Sequence, residues 1–183
     1  MVSAPSGSGK TSLVKALLEN DLPIAFSISA TSRQPRGKEE DGIDYYFMTS
    51  EAFQKKIAEN AFVEYEEVYP AKFYGTLREE LKNKWSTGQH VIFDIDVVGG
   101  LKIKSQYPQQ TLSIFVQAPD LKVLEERLRS RATEDEALIQ ERLAKAQLEM
   151  ESATEFDVVI VNDDLEQAKK DMFQKVKAFL EQA

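Results

Sequence analysis

Cysteine is absent from the 183 residues, and histidine occurs once, at His90. The first absence removes disulfides, thiolate nucleophiles and thiolate metal sites together, and one histidine cannot build a zinc site alone. Long hydrophobic runs are also missing. With no stretch of 18 apolar residues and no signal-peptide order at the N-terminus, neither a membrane span nor secretion is expected, and the chain reads as soluble and cytoplasmic. Positive charge is scarce: 23 Lys and Arg against 31 Asp and Glu give a net charge of −8. That balance argues against nucleic acid or an anionic membrane as partner. Repeats, low-complexity tracts and Pro/Gly/Ser linkers are lacking too, so the 42% apolar content predicts one domain with a short insertion.

What is there begins at the N-terminus. Ala4-Pro5-Ser6-Gly7-Ser8-Gly9-Lys10-Thr11 follows the Walker A pattern G-x-x-x-x-G-K-[ST] with alanine at its first glycine. Such a loop surrounds phosphate oxygens with backbone N–H groups at a helix N-terminus, while the lysine supplies charge and the hydroxyl a magnesium ligand. Ser3 to Thr11 is therefore expected to hold the phosphates of a nucleoside triphosphate, with Ser6, Gly7, Ser8, Gly9, Lys10, Thr11 and Ser12 as the contacting residues. Only Met1 and Val2 precede this segment, whereas a strand usually has about five or six residues. The expectation is that the sequence starts inside that strand.

Leu13, Val14, Leu17 and Leu18 mark an amphipathic helix after the loop, and Leu165, Ala168, Met172, Val176 and Phe179 mark another at the C-terminus. Capping boxes at Thr76 to Glu79 and Thr133 to Glu136 place helix starts near residues 77 and 134, with Gly88 as a stop for the first. Strand-like runs lie at 24–29, 91–95, 112–117 and 157–161, the last three nearly continuous in apolar residues, as buried parallel strands are. Strand and helix alternate, which predicts an α/β protein with a parallel sheet covered on both faces. Residues 30–75 break the rhythm and read as an inserted lobe with a helix at 51–59 and a strand at 62–69. Phe47, Phe53 and Phe62 are expected to form the lobe's core, and 128–147 reads as a small arginine-bearing lid. The seven arginines fall in four clusters, at Arg33 and Arg36, Arg78, Arg127 to Arg131, and Arg142. Arg78, Arg129 and His90 are read as surface residues.

Seven motifs in order, spread over the whole chain, resemble the guanylate kinases. After the loop come Ser29-Ala30-Thr31-Ser32-Arg33-Gln34-Pro35-Arg36, then Tyr45, Phe62-Val63-Glu64, Tyr74-Gly75-Thr76, Asp94-Ile95-Asp96, Arg127-Leu128-Arg129-Ser130-Arg131, and Val161-Asn162-Asp163-Asp164. Two departures are visible. Val98 and Gly100 flank Gly99 where the family more often has D-x-D-x-Q-G, and one extra residue lies between Glu64 and Tyr74. The resemblance implies a P-loop kinase fold, three-layer α/β/α with a five-stranded parallel core. It divides the chain into a core (1–29, 76–127, 148–183), a GMP-binding lobe (30–75) and a helical lid (128–147), with lobe and lid closing over the substrates. The implied reaction is reversible phosphoryl transfer from ATP to GMP or dGMP, with magnesium accompanying ATP and no tightly bound organic cofactor.

Transfer between two anions requires cations, because like charges about 4 Å apart repel by about 4 kcal/mol at an effective dielectric near 20. Lys10 and the loop serve the donor. Arg33 and Arg36 with the hydroxyls of Tyr45 and Tyr74 suit the acceptor phosphate, and the resemblance gives Arg127, Arg131 and Arg142 the transferring group. No general base is needed for an ionised phosphate. Guanine offers two donors and one acceptor on its edge, which carboxylates such as Glu64 and Asp96 and hydroxyls such as Ser29 and Thr76 match. Asp94, at a strand end, would orient magnesium with Thr11. Asn162 follows the last strand, where it either meets the donor adenine or caps the next turn. Two rivals remain: a kinase for another phosphorylated acceptor, and a noncatalytic module that binds phosphopeptides, which the intact Lys10, Thr11, Arg127, Arg131 and Arg142 disfavour.

Overall fold

The computed structural model describes residues 1–130 and 136–182. In chain order it runs β1 (Val2–Ser3), α1 (Lys10–Leu18), β2 (Ile24–Phe26), β3 (Ala30–Thr31), β4 (Tyr46–Phe47), α2 (Ser50–Ala58), β5 (Phe62–Tyr69) and β6 (Lys72–Leu77). There follow α3 (Arg78–Ser86), β7 (His90–Ile92), α4 (Val97–Gln106), β8 (Ile114–Gln117), α5 (Leu121–Ser130), α6 (Glu136–Glu151), β9 (Val158–Val161) and α7 (Leu165–Leu180). Outside residues 30–77, helices and parallel strands alternate as the periodicity predicts. The chain forms two compact units: Met1–Leu22 with everything from Asp94 onward, and Pro23–Phe93.

In the first unit the sheet order is β1-β8-β9, all parallel, with Val2 opposite Ile114 and Ile114 opposite Val158. Ile114, Phe115 and Val116 are buried, as a continuous apolar run in a central parallel strand should be. A parallel bridge also joins Val2 to Asp94. On α1 the buried residues are Leu13, Val14 and Leu17 and on α7 Ala168 and Met172, each one stripe of an amphipathic helix. Leu124 and Leu128 of α5 pack with Ala146 of α6 and Ala118. The expected helix start near residue 134 lies outside the described residues.

The second unit holds a parallel pair, β2 with β7, and a four-stranded sheet in the order β4-β3-β6-β5. Ladder hydrogen bonds thus define parallel sheets of three and two strands. The expected strand 24–29 is shorter than predicted: Ile24–Phe26 pairs with β7, residues 27–29 lie in no strand, and the next strand, Ala30–Thr31, belongs to the four-stranded sheet.

Faces in the four-stranded sheet follow from register. Phe62 pairs with Leu77 but Glu64 pairs with Thr76, so one extra residue sits in β5. Leu77 and Thr76 are neighbours and point to opposite faces, hence this bulge sends Phe62 and Glu64 to opposite faces although they are two apart. Phe62 joins Ala30, Phe53 and Phe73 in a buried cluster flanked by Tyr46, Met48, Ile57 and Leu77. Phe53 stacks on Phe62 at 4.3 Å and on Phe73 at 5.4 Å between ring centres. Glu64, Thr76 and Tyr74 take the other face.

Three expectations are corrected. Phe47 does not enter the lobe's core: it pairs with Thr31, which pairs with Tyr74, and so lies on the Tyr74 face. Helix α3 starts at Arg78, close to the expected place, but Thr76 does not cap it. The cap position is Leu77, without a side-chain bond, because Thr76 is still within β6 and its hydroxyl is engaged elsewhere. His90 is not an exposed turn residue; it is half-buried as the first residue of β7, its N–H donating to the Pro23 carbonyl at 2.7 Å. Gly88 follows the end of α3 as expected.

Candidate active site

The glycine-rich loop leaves the C-terminal end of β1 and runs directly into α1. Gly9 is the cap position of α1, at φ +90°, with no side chain bonding the first-turn N–H groups. Those donors, at the positive end of the helix dipole, are of the kind that can receive an anion. Gly7 lies against Leu124 and Leu128 of α5. The ammonium of Lys10 pairs with the Asp94 carboxylate and donates to the Ile95 carbonyl at 3.4 Å. Thr11 and Ser12 are exposed in the first turn of α1. Asp96 accepts from the Gly99 N–H at 2.7 Å and so caps α4.

Of the three arginines expected at the transferring group, one reaches this loop and one reaches the residue after β9. Arg142 of α6 donates to the Ser6 hydroxyl at 2.6 Å. Arg127 of α5 donates to the main-chain carbonyl of Asn162 at 2.9 Å. Arg131 lies outside the described residues. Arg129 points away, paired with Glu125 and Glu136 at the surface, as its position two residues from Arg127 predicts. Arg78 is half-buried, its Nε donating to the Asn60 carbonyl. Asn162 is not the cap of α7, a place taken by Asp164; its side-chain amide donates to the Ser8 carbonyl at 2.8 Å.

A second constellation lies in the Pro23–Phe93 unit. Arg33, 8% exposed, rests over the rings of Tyr45 and Phe47 with centroids 4.8 and 5.6 Å from its guanidinium carbon, a cation–π cradle. Its Nε donates to the Tyr74 hydroxyl at 3.0 Å, and its two terminal nitrogens grip the Glu39 carboxylate at 2.5 and 2.8 Å. Glu39 also accepts from the Arg36 N–H at 2.7 Å. Arg33 and the Arg36 amide hold the Glu39 carboxyl down at about 2, and the Glu39 bond in turn raises the pKa of Arg33. Burial pushes the Tyr45 phenol up, against the pull of Arg33. The Arg36 side chain is exposed and Ser29 is half-buried, its carbonyl accepting from Tyr46 N–H at 2.9 Å. Glu64 is buried, and its carboxylate accepts from the Thr76 hydroxyl at 2.7 Å.

Sequence reasoning missed Glu39. The carboxylates Glu39, Glu40, Asp41 and Asp44 all follow the arginine pair, and spacing alone cannot choose among them. It missed Glu80 as well, buried on α3, which accepts from the Tyr46 hydroxyl at 2.9 Å and the Ile28 N–H at 3.2 Å. Burial and Glu80 push the Tyr46 phenol up to about 12. Among the described residues no cluster of three His, Asp or Glu side chains could hold a metal, and no helix is long and apolar enough to cross a membrane.

A strand, a glycine-rich turn and a helix whose first N–H groups lack side-chain partners, with a lysine at the turn, form the phosphate cradle of P-loop proteins. Comparison with known proteins narrows the class. The sequence model of the family described as guanylate kinase matches residues 1–183, so the chain belongs to the guanylate kinase family. It is 52% identical over 178 residues to a guanylate kinase of Bacteroides thetaiotaomicron, covering 97% of this chain and 87% of that one. With a guanylate kinase of Porphyromonas gingivalis the identity is 46% over 166 residues, 90% and 88% of the two chains. The crystal structure of guanylate kinase from Anaplasma phagocytophilum superposes with a TM-score of 0.76 at 30% identity, covering 97% of this chain and 82% of that one.

Proposed function

We propose that this chain transfers the terminal phosphoryl group of ATP to GMP, giving ADP and GDP. The observation that carries the acceptor is the buried Glu64–Thr76 pair on the same sheet face as Tyr74, the partner of Arg33. That face offers a cation and phenols to a phosphate, and a carboxylate with a hydroxyl to the donors and acceptor of a guanine edge. Ser29, Arg36, Tyr45 and Asp96 are assigned to the same substrate. For ATP, the amides from Ser6 to Ser12 and the ammonium of Lys10 hold the phosphates, with Asn162 on the same side. Arg127, Arg131 and Arg142 offset the charge of the group in transfer. In this reading residues 30–75 form the acceptor lobe, 128–147 the lid, and the remaining strands the five-stranded core of a three-layer α/β/α kinase fold.

Magnesium fits the donor side. It binds through one or two protein oxygens plus phosphates and water, and the Thr11 hydroxyl with the Asp94 carboxylate beside Lys10 supplies that kind of donor set. There it would neutralise charge on the phosphate oxygens; the residues themselves bind, orient and exclude water.

The deciding experiment is a coupled assay of ADP formation with GMP, dGMP, AMP, UMP and a sugar phosphate. GMP should give a kcat/KM at least about 10⁴ times that of AMP; preference for AMP, or ATP-independent GMP binding without turnover, would defeat the reading. Lys10→Ala should lower kcat by about 10²-fold or more at saturation. Glu64→Ala should mainly raise the KM for GMP and narrow the GMP/AMP ratio.

A further inference from the structure

The main chain of Asn162 is fixed from two sides. Its N–H continues the ladder to the Gln117 carbonyl at 2.8 Å, and its carbonyl receives Arg127. From this platform, 4% exposed, the carboxamide reaches the loop: Nδ2 donates to the Ser8 carbonyl at 2.8 Å, while Oδ1 is buried and has no hydrogen-bond partner among the described residues. The fit is close enough that a Cβ on Gly9 would collide with Nδ2.

From this geometry we infer that Asn162 is a positioning residue for phosphate binding, acting through the loop. The Ser8 carbonyl and the Gly9 N–H belong to one planar trans peptide and point in opposite directions. Pinning the carbonyl toward Asn162 therefore aims the Gly9 N–H away from Asn162, at the cap position that opens α1. Without the carboxamide the peptide is free to rotate, and the anion site loses the orientation of a donor before any ligand enters. The inference rests on the reading of the loop as a phosphate cradle. It goes beyond that reading by making Asn162 necessary for a ligand that has no base at all.

Inorganic tripolyphosphate is such a ligand. Its affinity, and those of ATP and GMP, are to be measured by calorimetry with magnesium for the unaltered chain, Asn162→Asp and Asn162→Ala. Asn162→Asp keeps the shape but places an acceptor against the Ser8 carbonyl. It should weaken tripolyphosphate by about tenfold or more and ATP by the same factor, with GMP within about twofold; Asn162→Ala should do the same more mildly. Loss of ATP affinity with tripolyphosphate changed by less than about threefold would assign Asn162 to the nucleoside and overturn the inference. An equal loss for GMP would mark general damage to the fold and overturn it too. If the unaltered chain binds ATP but not tripolyphosphate, the phosphate-cradle reading itself fails. Should neither variant fold, an isotope-edited NOE in the unaltered chain between the Asn162 carboxamide and the Gly9 Hα decides: it should persist at saturating ATP, and its disappearance would overturn the inference.

Discussion

Arg33 divides its guanidinium N–H groups among Glu39, the Tyr74 hydroxyl and the Gln34 carbonyl. Glu39 thus decides where the charge of Arg33 points. The Glu39 carboxyl, about 2 against an ordinary value of 4.5, is depressed on folding. The pair therefore contributes fully above about 4.5, and its contribution is lost as pH falls through about 2. A carboxyl-detected NMR titration should show Glu39 still ionised at pH 3.5; a midpoint near 4.5 would mean that the pair does not hold in solution. Glu39→Gln should raise the KM for GMP by about tenfold with kcat little changed, because the amide keeps the volume and loses one bond to the guanidinium. Steady-state kinetics with GMP varied would show this.

At the scale of elements, β5 and β6 show what could and could not be read ahead of the structure. Gly75 sits opposite Tyr65, and a Cβ there would stand 2.7 Å from the Glu64 carbonyl oxygen and 2.8 Å from the Tyr65 Cβ. Gly75→Ala should destabilise the protein by about 1–3 kcal/mol, seen as a lower Tm, and should also raise the KM for GMP by displacing Glu64. Strand β8 and helices α1 and α7 were legible because burial leaves an apolar run or stripe in the residues themselves, whereas β9, whose run also reads as a buried strand, exposes Val159 and Val161. The face of Glu64 was not, since the bulge before it lives in main-chain pairing and leaves no mark on side-chain type. In a run reading Glu64-Tyr65-Glu66-Glu67, composition alone points to solvent. Thr76 misled for a related reason: the pattern of a capping box was present, but its hydroxyl belonged to a cross-strand pair. Phe47 looks like core by composition, yet the strand register turns it toward Arg33. The turn from β1 into α1 was legible because its glycines and the lysine that opens the helix stand at a recognisable spacing.

At the scale of the molecule, the Pro23–Phe93 unit is one continuous stretch with its own aromatic cluster. Phe53, with 0% of its surface exposed, stacks on two other rings. Phe53→Ala should cost about 3–5 kcal/mol by leaving a cavity. Hydrogen exchange should then quicken within residues 23–93 more than in β1, β8 and β9, since local opening follows cooperative units. Uniform acceleration would mean that the two units unfold as one.

The other unit is discontinuous, and its first strand finds its partner far downstream, Val2 opposite Ile114. A ribosome adding about ten residues per second emits the glycine-rich loop roughly ten seconds before β8 exists to pair with β1. The segment with the most recognisable chemistry is thus among the last to become competent, and a nascent chain should acquire affinity for ATP late in translation, after the intervening lobe has already had time to fold.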